Sequence, residues 1–215
     1  MFNQPNQPVG WYPVLTSSAM VSFLTSFLVA VGLLQGPAAP KPAQAAPAAA
    51  PAPAGPILWS ADRRLTVADF QSRPKPYEKL AALTTTDIKA GAACRDFVFS
   101  GTVKATFDPS ASWFRDPKNY TPQLLRHEQL HFDLTEVYAR LLRQKLVVFQ
   151  AKVDCAKLQP AFNNLTKGIY AEWDREQNRY DAETNHGLNA VRQDYWEKQT
   201  QVRLAQLEAF ALPAQ

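Results

Sequence analysis

The chain has 215 residues and a formal charge of +4, with 46% apolar and 20% charged residues. That is the size of one domain with a tail, and the composition excludes wholesale disorder. Lys41 is the only charged side chain before Asp62, so residues 57–215 carry 22 basic against 19 acidic groups. An excess so small and dispersed, with no Lys/Arg block and no zinc-finger or RNP pattern, speaks against nucleic acid as a partner. No Walker loop or GxGxxG supports nucleotide chemistry.

In chain order, residues 14–34 (VLTSSAMVSFLTSFLVAVGLL) carry no charge. With the small-x-small triplet Ala43-Gln44-Ala45 beyond them, residues 1–36 read as a secretory signal peptide. The run also has the ~20 residues that span a bilayer, so a retained anchor giving membrane attachment is the alternative. Either way the domain is expected outside the cytoplasm, secreted or periplasmic. Residues 37–56 hold ten Ala and seven Pro. They read as an extended linker, because frequent proline bars both a helix and a packed core.

The folded domain is expected over 57–215. Residues 83–89 (LTTTDIK) and 94–107 (CRDFVFSGTVKATF) alternate apolar and polar side chains and are rich in Thr, Val and Phe. They read as strands, with Ser100-Gly101 as a turn or bulge. From Thr121 to about Leu158 the only breaker is Pro122, which suits a first helical turn after a Thr cap. Leu124, His127, His131, Leu134, Tyr138, Leu141 and Phe149 fall near one stripe of this helix. Pro160 is expected to stop it. Further helices are expected over 162–184 and 188–210. Strands followed by helices give an α+β fold: a small antiparallel sheet, then three long helices. Trp173, Tyr195 and Trp196 read as core.

Cys94 and Cys155 are the two cysteines. In an exported domain such a pair suggests a disulfide, and without a CxxC spacing redox catalysis is not expected.

Residues 127–131 read His127-Glu128-Gln129-Leu130-His131, which is HExxH inside the expected helix. Positions i and i+4 project from one helix face, so both imidazoles can reach one Zn²⁺ ion. Glu128 is rotated about 100° from His127, beside the metal, where it can serve as general base. The chain has three histidines in all, and His186 is the remaining one. If two antiparallel helices meet near Pro160, their arms to His131 and to His186 nearly match in length, which places His186 opposite the motif as third ligand. Glu183 is the fallback ligand. Asp181, Glu183, Asp133 and Glu136 are candidates to orient the ligand imidazoles. Tyr180, with Tyr170 behind it, is the candidate donor to an oxyanion.

The stretch LLRHEQLHFDLTEVYARLL (124–142), YDAETNHG (180–187) and the Gln and Trp of QDYW (193–196) resemble a family of bacterial proteins labelled predicted secreted zinc-dependent proteases. The DF of VADF (67–70) and SWF (112–114) are similar to that family as well. The resemblance covers roughly 57–200. It implies His127, His131 and His186 as metal residues and Glu128 as catalytic acid/base.

The expectation is a zinc metallopeptidase acting on a peptide or protein substrate, with residues 102–107 as an edge strand that pairs an extended chain. The alternative is a non-catalytic extracytoplasmic binding domain whose zinc is structural or vestigial, closed by a fourth protein ligand such as Glu183.

Overall fold

The computed structural model describes residues 55–213. The apolar stretch 14–34 and nearly all of the Pro/Ala stretch lie outside them.

The domain is α+β. Strands β1 (Ile57–Leu58), β2 (Ala82–Leu83), β3 (Thr86–Arg95), β4 (Val98–Phe107) and β5 (Trp113–Phe114) precede helices α1 (Pro122–Gln150), α2 (Leu158–Thr184) and α3 (Ala190–Gln206). The larger sheet is antiparallel in the order β1-β4-β3, and β2 pairs with β5 in a separate ribbon. β3 and β4 form one long hairpin in which Thr86 faces Phe107 and Arg95 faces Val98. The turn is therefore Asp96-Phe97, and not Ser100-Gly101, which sit within β4 opposite Ala93 and Ala92. Both turn residues have positive φ, 50° and 63°. A two-residue loop of that hand matches the strand twist, and this geometry overrides the alternation that ran through Phe97. Phe97 is 94% exposed at the tip.

β4 is the central strand of its sheet. Residues 105–107 are thus no free edge, because β1 with the Trp59 N–H and β3 take both sides there, and no residue of 102–107 lines the cleft over the HExxH motif. The segment along the cleft over the HExxH motif is instead 80–86, which contains β2.

Helix α1 starts as its sequence dictates. The Thr121 side chain accepts the Leu124 N–H at 3.1 Å, and Pro122 occupies the first turn, where its missing N–H costs nothing. Its middle is buried almost all round, from His127 to Arg140. The sheet side of the core includes Ile88, Val103, Ala105, Phe107, Phe132 and Leu142. Leu130 and Leu134 pack with Tyr180 and Trp196 of the other two helices. A helix sandwiched this way must satisfy its buried polar groups internally. Asp133 does so with Trp59 Nε1 (2.9 Å), Arg64 (3.1 Å) and Gln129 (2.8 Å). Glu136 does so with Arg140 and Arg143, each at 3.0 Å.

The helix ends at Gln150, eight residues before the expected Leu158, and Pro160 lies in the first turn of α2. Proline there initiates a helix and does not stop the preceding one. Cys155 falls in the short 3-10 turn Cys155–Lys157 between the helices, and it is bonded to Cys94 of β3. Trp196 is buried as expected, whereas Tyr195 is 48% exposed. Among the described residues no helix is long and apolar enough to cross a membrane.

Candidate metal centre

Helices α1 and α2 run antiparallel across the site, and three side-chain pairs set their register. His127 meets Asp181, His131 meets Gln177, and Thr135 meets Trp173. The residue numbers in each pair sum to 308, so the two helices mirror each other about position 154, in the connecting turn.

The HExxH imidazoles point across this interface. His127 Nε2 lies 3.2 Å from His131 Nε2, and each lies 3.0 Å from Asp181 Oδ1. These three atoms form a nearly equilateral triangle. Donors arranged tetrahedrally on an ion with bonds of about 2.0–2.1 Å lie roughly 3.3–3.4 Å apart. The three groups therefore fit a small divalent cation with little movement, and His127, His131 and Asp181 could hold a metal ion.

The hydrogen bonds behind the rings point to the same requirement. Gln177 donates its amide N–H to His131 O (2.9 Å) and Thr135 Oγ1 (3.2 Å), which turns Gln177 Oε1 toward His131 Nδ1 at 2.7 Å. In its neutral form the His131 ring then carries the proton on Nδ1 and the lone pair on Nε2. Gln193 plays the corresponding part for His127. It donates to Glu197 Oε1 (3.0 Å) and accepts the Tyr180 hydroxyl (2.8 Å), which leaves Gln193 Oε1 3.4 Å from His127 Nδ1. With both rings neutral, two imidazole lone pairs and a carboxylate oxygen thus converge, and a proton added at Nε2 makes a ring the donor to Asp181. One proton could bridge a single edge of the triangle, whereas a metal ion satisfies all three.

The charges follow. Burial raises the pKa of Asp181, but hydrogen bonds from His127 and His131 outweigh it and hold the carboxyl well below the usual range. Burial likewise opposes a charge on His131, but the Asp181 hydrogen bond and the charges of Glu128 and Asp181 prevail and raise its pKa.

The third partner in the triangle is Asp181, which sequence reasoning named only as a possible orienting group. His186, expected as third ligand, stands one step outward. Its Nδ1 is 3.5 Å from Asp181 Oδ1, its ring centroid is 6.5 Å from that of His127, and its side chain is 54% exposed. It follows the left-handed cap Asn185 (φ 49°) and is itself left-handed (φ 51°). A β-carbon makes that region costly outside glycine, so the loop holds His186 at the mouth under mild strain.

Glu128 is nearly buried and lines a cleft of about 390 Å³ with His127, His131, Asp181 and His186. Residues 80–86 form the opposite wall, and Thr84 Oγ1 ties that wall to α1 by donating to Glu128 O at 3.2 Å. Trp173, expected in the core, lines this cleft and donates its indole N–H to Thr135 Oγ1 at 3.2 Å.

Tyr180 is fully buried beneath the site. It stacks on the His127 ring at 4.6 Å, and its hydroxyl donates to Gln193 Oε1, with His127 O at 3.2 Å. Burial raises its pKa strongly. A hydroxyl so engaged supports His127 and does not reach the cleft. Glu183 accepts the Trp196 indole N–H at 2.9 Å and pairs with Arg192, away from the triangle. Tyr170 donates to Ile88 O at 3.0 Å, Asp133 pairs with Arg64, and Glu136 with two arginines. None of these takes part in the site.

A helix pair that carries HExxH, an aspartate across the interface and an open cleft defines a candidate metal centre. The chain belongs to the DUF922 family of bacterial proteins of unknown function, whose model matches residues 77–187. That span holds the three members of the triangle, Glu128 and His186. No curated protein and no solved structure matches the chain.

Proposed function

We propose that the protein is a zinc-dependent hydrolase, a metallopeptidase working outside the cytoplasm. The observation that carries this reading is the convergence of His127 Nε2, His131 Nε2 and Asp181 Oδ1 beside Glu128 at the floor of an open cleft. Two nitrogens and one carboxylate oxygen suit Zn²⁺, and three protein ligands are the usual complement of a catalytic site. Bound there, zinc supplies a Lewis acid that makes water acidic near neutral pH and polarises a carbonyl.

The chain's own residues do the rest. Glu128 takes the proton from the attacking water and hands it to the leaving amine. Gln177 and Gln193 hold both imidazoles in the tautomer that presents Nε2. Asp181 neutralises one positive charge. His186, at the mouth with a ring N–H to offer, serves as donor to the oxygen that gains charge, the part first assigned to Tyr180. The Cys94–Cys155 disulfide fits an oxidising compartment and supports placement beyond the cytoplasm.

The test is zinc-loaded protein acting on unfolded, fluorescently labelled casein. Glu128→Gln is expected to keep zinc and fold and to lose at least ~10²-fold in kcat/KM. Asp181→Ala is expected to lose the metal, and His186→Ala to keep it with a slower turnover. A parent that binds zinc and cleaves nothing, or a Glu128→Gln variant as fast as the parent, would overturn the reading in favour of a structural site.

A further inference from the structure

A second cavity opens beside the metal cleft. It has a volume of about 640 Å³ and shares Leu80, Ala81, Leu124 and His186 with the cleft, so the two spaces adjoin. Its own walls include Phe114, Tyr120 and Leu188. Phe114 is buried and meets Tyr120 edge-on at 5.6 Å, whereas Leu188 is 78% exposed. A solvent-facing leucine and a partly open tyrosine, beside a catalytic cleft, form an apolar surface of the kind that marks binding sites.

Of the three Lys, Arg and Asp side chains on its walls, Lys79, Arg115 and Asp116, the last two are tied to the protein. Arg115 donates through Nε to Leu80 O at 2.9 Å and through its terminal nitrogen to Glu78 O. The Asp116 carboxylate accepts from the Lys118 and Asn119 backbone and from the Asn119 amide. Both are held by protein partners.

Position fixes what the cavity serves. Leu124 precedes His127 by three residues on α1, a rise of about 4.5 Å. Side chains on one face of an extended chain recur at roughly 6.6 Å. The cavity is thus within reach of the residue that adjoins the reacting carbonyl.

We propose that this cavity is a side-chain pocket for the substrate, taking a large apolar residue, aromatic or branched aliphatic, immediately next to the bond that is cut. The proposal rests on the metallopeptidase reading and deepens it.

The experiment uses zinc-loaded protein and simple metal-chelating hydroxamates, with affinities measured by calorimetry. N-acetyl-phenylalanine hydroxamate is compared with its alanine counterpart, and 2-benzylsuccinic monohydroxamate with its 2-methyl counterpart. The two pairs place the benzyl-bearing carbon first or second from the chelating group, covering both sides of the reaction centre. In at least one pair the benzyl compound is expected to bind tenfold or more tightly. That ratio is expected to fall to within about twofold of one in Leu188→Glu and in Tyr120→Glu, with zinc retained. Hydroxamates that bind with no benzyl advantage, or an advantage that persists in both variants, would overturn the pocket while leaving the metal reading intact. Failure of every hydroxamate to bind would overturn the metal reading and the pocket with it.

Discussion

Gly187 lies flat against His127. A β-carbon built on the glycine would come within 2.8 Å of His127 Cβ and 3.0 Å of Cγ, and its φ is +81°. Both facts exclude a side chain, one by close approach and one by backbone hand. Gly187→Ala is therefore expected to push the His127 ring off the triangle. We expect zinc affinity to fall at least tenfold and stability to fall by about 1–3 kcal/mol. Competition against a chromophoric chelator and urea unfolding of the chelated protein give the two numbers. Unchanged zinc affinity would mean that the ring position does not depend on this approach.

The same region explains how far the sequence could be read. HExxH on a helix, the α+β order and the cysteine pair were legible because each rests on local spacing or on a residue type with few uses. The partner across the interface was not, because it depends on where the helices turn. A hinge near Pro160 reflects the motif onto residues about 189–193, just past His186, which made that histidine the expected partner. The observed symmetry centre, 154, lies six residues before Pro160 and reflects His127 onto Asp181. Proline at the start of a helix and proline after one look alike in a sequence. Asp154, whose side chain accepts the Ala156 N–H at 2.9 Å, was the local sign of the true turn. The hairpin tip was hidden for a related reason: Phe97 kept the apolar alternation going through two left-handed residues.

Gln177 and Gln193 hold the two imidazoles from behind, but unequally. The Gln177 bond to His131 is 2.7 Å and the Gln193 approach to His127 is 3.4 Å. Gln177→Leu is expected to cost about 10–100-fold in zinc affinity, and Gln193→Leu less. Gln193→Leu instead removes the acceptor of the buried Tyr180 hydroxyl and is expected to cost about 1–3 kcal/mol of stability. Metal titration and chemical unfolding of both variants give the comparison. The reverse ranking on zinc would contradict the orienting roles assigned here.

The Cys94–Cys155 bond spans a sequence separation of 61 residues and ties the tip half of β3 to the turn between α1 and α2. In the chain-entropy account a loop of that length contributes about 4 kcal/mol by restricting the unfolded chain. A Cys94→Ala/Cys155→Ala variant is expected to unfold about 10 °C lower, since a kcal/mol moves the midpoint of a domain of this size by about 2–4 °C. The site is some distance along the helices, so zinc stoichiometry is expected to remain one. Scanning calorimetry with metal analysis tests both, and loss of zinc with the disulfide would show that the turn sets the helix register at the site.

The last expectation concerns pH. In the metal-free protein the His127 and His131 rings lower the Asp181 pKa against its burial, and Asp181 with Glu128 raises that of His131 against its own. Stability from Asp181 is present above the ordinary carboxyl value of about 3.9 and is lost as pH falls toward its folded value. Stability from His131 is complete below about 6.5 and is lost as pH rises through its raised folded value. The stripped protein is thus most stable in mild acid, where imidazolium and carboxylate pair. Zinc needs the opposite state, with both Nε2 atoms bare, and its binding releases the His131 proton. The gap in melting temperature between zinc-loaded and EDTA-treated protein is therefore expected to widen steadily from pH 5 to pH 8. Calorimetry at half-unit intervals reads it directly. A gap that stays constant or narrows would mean that the ion does not sit on these imidazoles.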